Sequence, residues 1–169
     1  MRKLLFFCLG FLPLIISAQA DNERSLRDSF VLKMPVTEDS YYQSPIPASP
    51  FIVGPKILQL FPGESILLEV EEKDGAVINI KVVKENKHPD RTLEISFSQI
   101  VEKNKHAMMM LKVKNPFKRS ITYNAVIRLM KSENWVKTSI KPVAAGLFGM
   151  EMWPDPIISI ALNEWKFVQ

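Results

Sequence analysis

The chain has 169 residues, of which 47% are hydrophobic and 24% charged, with one cysteine and a formal net charge of +4. A lone cysteine excludes a disulfide framework, a thiol redox pair and a multi-thiolate metal site. So small a net charge leaves no electrostatic footprint for nucleic acid or an anionic bilayer.

The first twenty residues read as an export signal. Arg2 and Lys3 form a positive start, residues 4–16 are apolar, and Ala18-Gln19-Ala20 has the small-x-small pattern of a cleavage site. The expectation is a cleaved signal peptide over 1–20 and an exported protein, periplasmic or secreted, of bacterial style. Cys8 follows Phe6-Phe7, which leaves too short an apolar region for a lipidated cysteine. The leader holds two of the 22 basic residues and none of the 18 acidic ones, so the remainder carries +2 and no cysteine. No later apolar run is long enough to form a transmembrane segment.

Residues 21–50 read as a Pro-rich extended arm or linker. Pro35, Pro45, Pro47 and Pro50 disfavour a helix or a central strand there. The plain expectation is a solvated tether. The sharper one is an arm lying along the domain or a partner, anchored by Phe30, Tyr41 and Tyr42.

Residues 51–169 change to a two-residue period. Strands are predicted over 56–61, 64–71, 76–84, 92–100, 107–114, 120–130, 135–142 and 157–167. Lys73-Asp74-Gly75 between two alternating runs is a hairpin signal. Eight short strands with one apolar face each require two sheets packed together. The predicted fold is therefore all-β: a single antiparallel β-sandwich of about seven or eight strands with an N-terminal extended arm. The stretch from Leu111 to Leu129, with its Asn-Pro break and inward Tyr123, resembles a segment common in immunoglobulin-like sandwiches. It lacks the Cys–Trp–Cys hallmark, and the resemblance is one of architecture that carries no function. Pilus-type periplasmic chaperones use two such domains, whereas this chain supplies one.

Few residues invite chemistry. There are two histidines, His88 and His106, and no nucleophile elbow, phosphate loop or zinc helix motif. No catalytic residue, metal site or cofactor is assigned. Residues 144–156 stand out as a loop rich in large apolar side chains: Leu147, Phe148, Met150, Met152 and Trp153, flanked by Glu151 and Asp155. As a plug it closes the sandwich; as a ligand surface it offers Trp153, Glu151, Asp155, Phe148 and Met152. His106, Met108 and Met110 are expected to share the outward face of their strand, a soft-ligand set that suits copper, though strand spacing holds neighbours too far apart. Lys103, Lys105, Lys112, Lys114, Lys118 and Arg119 form a modest basic patch.

The functional expectation is a non-catalytic interaction module that binds another envelope or surface protein by an edge strand, the arm or the Trp153 loop. The alternatives are a carbohydrate-binding domain or small carbohydrate-active enzyme using Trp153, Trp135, Glu151 and Asp155, and a copper-binding protein using His106, Met108 and Met110.

Overall fold

A computed structural model describes residues 25–168; the expected leader over 1–20 lies outside the described residues. Fourteen strands follow in order among them: β1 (Leu26–Arg27), β2 (Phe30–Pro35), β3 (Tyr41–Ile46), β4 (Ser49–Pro50), β5 (Ile52–Gly54), β6 (Ile57–Leu60), β7 (Glu64–Lys73), β8 (Ala76–Val83), β9 (Thr92–Glu102), β10 (Lys105–Lys114), β11 (Ser120–Leu129), β12 (Trp135–Thr138), β13 (Phe148–Trp153) and β14 (Ile157–Val168).

Ten of them build two five-stranded antiparallel sheets. Sheet I has the order β13-β10-β9-β7-β8, and sheet II has the order β12-β11-β14-β6-β5. Their inner faces meet in one core. Leu68, Leu93, Phe97, Met109 and Leu111 come from sheet I; Leu58, Leu60, Ile121, Tyr123, Ile160, Leu162 and Trp165 come from sheet II. Each such side chain removed from water contributes about 1.5–3 kcal/mol, and this burial holds the sandwich without a cross-link. All eight predicted strands are present. β14 carries six consecutive buried residues, Ile157–Leu162, as a strand placed inside a sheet should.

The hairpins show why the chain turns where it does. Lys73 pairs with Ala76 around Asp74 and Gly75, whose φ angles of 52° and 81° make a primed two-residue turn. β9 and β10 join through Lys103 and Asn104, both also at positive φ. Asn tolerates that region well; Lys does so at a cost.

Residues 25–50 differ from the solvated tether. β1 pairs with β4, and β2 with β3 as a hairpin. Leu32 and Met34 are in the main core. Pro45 is accommodated because β3 belongs to a two-stranded ribbon, where a missing N–H can face outward. Arg27 fixes the start of the arm. It is 4% exposed, and its guanidinium donates to Glu64 Oε1 at 2.7 Å, Ser49 Oγ at 3.1 Å, Pro50 O at 3.2 Å and Gln59 O at 2.6 Å. The Phe51 and Phe61 rings cover it at 4.5 and 4.9 Å. Phe30 meets Phe61 edge-on and Tyr42 packs on the core, whereas Tyr41 is exposed.

Candidate functional site

The segment expected to be a loop contains strand β13, which forms one edge of sheet I. Two features launch it. Asn115, fully buried, sends its side-chain amide to the carbonyls of Arg119, Val143 and Ala144 at 2.8, 3.0 and 3.1 Å. Its Oδ1 accepts from Phe117 N, and its backbone N–H reaches Leu147 O at 2.8 Å. Asn115 thus ties the turn after β10 to the chain entering β13. Gly149 then passes close to Val143: a Cβ there would lie 2.8 Å from Val143 Cγ2. Only glycine permits that approach without a shift, because the neighbour is a stiff β-branched side chain.

Register with β10 decides which β13 side chains face out. Phe148, Met150 and Met152 lie opposite Lys114, Lys112 and Met110; Gly149, Glu151 and Trp153 lie opposite the buried Val113, Leu111 and Met109. Outward-facing Phe148, Met150 and Met152 are 63%, 46% and 46% exposed. Trp153 packs against the core and donates its indole N–H to Thr138 Oγ1 at 2.8 Å. Glu151 Oε1 accepts from the Lys141 backbone N–H at 2.8 Å. Burial pushes the Tyr123 hydroxyl above the ordinary tyrosine range, and the Glu151 carboxylate adds to that rise.

The five residues singled out on this segment therefore divide. Phe148 and Met152 stand on the outer face, Trp153 and Glu151 on the inner, and exposed Asp155 beyond Pro154. Trp135 is exposed on β12, the edge of the other sheet. The structure does not bring Trp153, Glu151 and Asp155 together as an open carboxylate-and-indole cleft.

His106 also departs from expectation. A register shift between His106 and Met108 inserts one residue, and an inserted residue reverses the facing of what precedes it. His106 consequently joins inward-facing Gln99 rather than Met108 and Met110. Its Nδ1 lies 2.9 Å from Gln99 Nε2 and its Nε2 2.9 Å from Pro154 O. Gln99 donates a second bond to Pro35 O at 2.7 Å. Gln99 Nε2 is a donor and Pro154 O an acceptor, an arrangement that suits the Nε2–H tautomer and engages both ring nitrogens. The ring ties the chain after β13 to Gln99 and is not available as a ligand, while the arm is held by Gln99 and by the His106 backbone N–H, which reaches Val36 O at 3.4 Å.

The basic patch is partly neutralised. Lys114 pairs with Glu94 at 2.8 Å, Arg119 with Glu72, and Lys105 with Glu38 at 3.7 Å. Lys112 lies over the Phe148 ring at 5.6 Å, and Lys137 within β12 and Lys141 just beyond it are exposed. A groove of about 790 Å³ at the opposite edge of sheet I is lined by charges of both signs, among them Glu69, Lys81, Glu85 and His88. It contains none of the residues singled out from the sequence except His88. No group of three or more His, Cys, Asp or Glu residues capable of holding a metal ion occurs among the described residues, and no described helix could cross a membrane.

No known protein family, characterised protein or solved structure was found to match this chain. The functional reading is therefore built on the geometry of the edge.

Proposed function

We propose that this protein is an exported, non-catalytic interaction module that takes an extended segment of a protein partner as an additional strand beside β13. The observation that carries the reading is the exposed apolar row Phe148, Met150 and Met152 on a strand that pairs only with β10 among the described residues. Natural edge strands are usually blunted by lysine, proline, a bulge or a covering element. Between Phe148 and Trp153 there is no proline and no outward charge. An added strand gains main-chain hydrogen bonds from the open edge and specificity from alternate side chains resting on the row. Exposed Lys112, opposite Met150, and exposed Lys141, whose backbone N–H meets Glu151, favour a partner segment that carries carboxylates between its apolar residues. Export is supported by the leader pattern over 1–20.

The test is site-specific photocrosslinking in the native cell envelope, with the photoreactive residue placed at Met150 or, as a control, at exposed Ile78 on the opposite edge. A discrete protein adduct at 150 and none at 78 is expected. Adducts of equal yield at both positions, or none at 150, would overturn the reading. N-terminal sequencing of the envelope form is expected to start at Asp21.

A further inference from the structure

The structure sorts the methionines into two groups. Met34 and Met109 are buried and Met130 packs on the core. Met108, Met110, Met150 and Met152 instead sit on the outer face of sheet I, on neighbouring strands. Met110 lies directly opposite Met152. Met108 and Met150 lie two residues from each, so that Met108–Met152 and Met110–Met150 are the diagonal neighbours. Directly opposed Cβ atoms in an antiparallel pair are about 4.5–5.5 Å apart and diagonal ones about 7–8 Å, within reach of long side chains. Methionine has three rotatable bonds and a polarisable sulfur, so the thioethers of the opposed pair Met110 and Met152 can meet above the sheet, with the diagonal Met108 or Met150 at the limit of reach; Met108 and Met150, four positions apart along the strands, cannot both join them. Met110 and Met152 are closer to one another than any two same-face residues of a single strand, and only the pairing of β10 with β13 creates that pair.

We infer that Met110 and Met152, with Met108 as a flanking third thioether, form a binding site for a soft monovalent cation, Cu(I) or its analogue Ag(I). Neutral thioethers select soft ions and leave hard or borderline divalent ions in water. Lys112, opposite Met150, places a positive charge at one end of the row, which shifts the site towards Met108, Met110 and Met152. His106 takes no part, because its nitrogens are committed to Gln99 and Pro154. The inference is independent of strand addition, since it requires no partner.

Anaerobic titration of Cu(I) against a competing chromogenic chelator tests it, with Ag(I) followed on the methionine methyl groups by NMR. One equivalent of Cu(I) should leave the chelator. With Ag(I), the methyl resonances of Met110 and Met152, and more weakly Met108, should move while those of Met34 and Met109 stay. Affinity should persist from about pH 7 to pH 5, because a thioether has no proton to lose whereas imidazole and thiolate ligands do. Substituting both Met110→Leu and Met152→Leu keeps an apolar outer row, and should weaken binding at least tenfold with circular dichroism unchanged. His106→Gln should bind as the parent does. Full retention of Cu(I) by the chelator, undiminished binding by the double variant, or loss of binding in a folded His106→Gln would overturn the site. None of those results touches the photocrosslinking outcome at position 150.

Discussion

Arg27 shows how much a single side chain can organise here. It is a buried cation whose donors are matched to one carboxylate and three other oxygens, and its removal would strand Glu64 in a site where that side chain is only 12% exposed. Breaking one partner of such a pair costs about 3–5 kcal/mol. Arg27→Ala should lower stability by that order in denaturant unfolding, and Arg27→Lys should restore only part, since an ammonium cannot reproduce the planar fork. Tyr123 carries a different signature. Its hydroxyl stays protonated in the fold at pH values where an unfolded tyrosine, with a pKa of about 10, ionises. The folded state then holds one more proton than the unfolded state. Stability is retained below about pH 10 and falls above it by about 1.4 kcal/mol per pH unit. Urea unfolding of the parent and of Tyr123→Phe across pH 9–12 should show the parent losing stability more steeply, and parallel curves would contradict the assignment.

At the scale of the element, β13 and the arm are where sequence and structure part company, and each has a physical reason. The strands over 64–73 and 92–102 are legible because apolar residues face in and polar residues face out; in β8 the expectation that Ile78 faces in with Ile80 and Val82 is corrected, because a register shift beside Glu72 buries Val77 and exposes Ile78. In β13 that polarity is inverted: Phe148, Met150 and Met152 face solvent, while Gly149 and Glu151 face the other sheet. With Gly146, Pro154 and Pro156 nearby, the segment has the composition of a loop, and only its alternation betrays a strand. In the arm, prolines argue correctly against a central strand yet permit the ribbon of β2 and β3. His106 was misplaced because a single inserted residue is invisible to a count of alternating faces. The role of Asn115 lay hidden in an Asn-Pro pair that reads simply as a break. Gly149 offers a test of how β13 is seated. Gly149→Ala should cost about 1–3 kcal/mol through overpacking against Val143, and adding Val143→Ala should recover part of that loss. Equal stability of parent and Gly149→Ala would mean that the strand does not approach Val143 as described.

As a whole molecule, the protein is two antiparallel layers sealed by aliphatic and aromatic side chains, with the arm contributing Leu32 and Met34 to the same core. The sandwich leaves strand edges at the ends of its two sheets, and they differ in character: β13 presents an unbroken apolar outer row, whereas the groove at the β8 edge is lined by charges of both signs. That asymmetry is the basis for assigning recognition to one side of the molecule. It is tested most directly by amide hydrogen exchange, measured with and without a ten-residue probe peptide that alternates valine and glutamate. Slowed exchange at the β13 amides not bonded to β10, unchanged exchange in β5 and β8, and loss of the effect in Met150→Lys are predicted. Unchanged exchange across residues 148–153, or equal slowing at β8, would contradict the account.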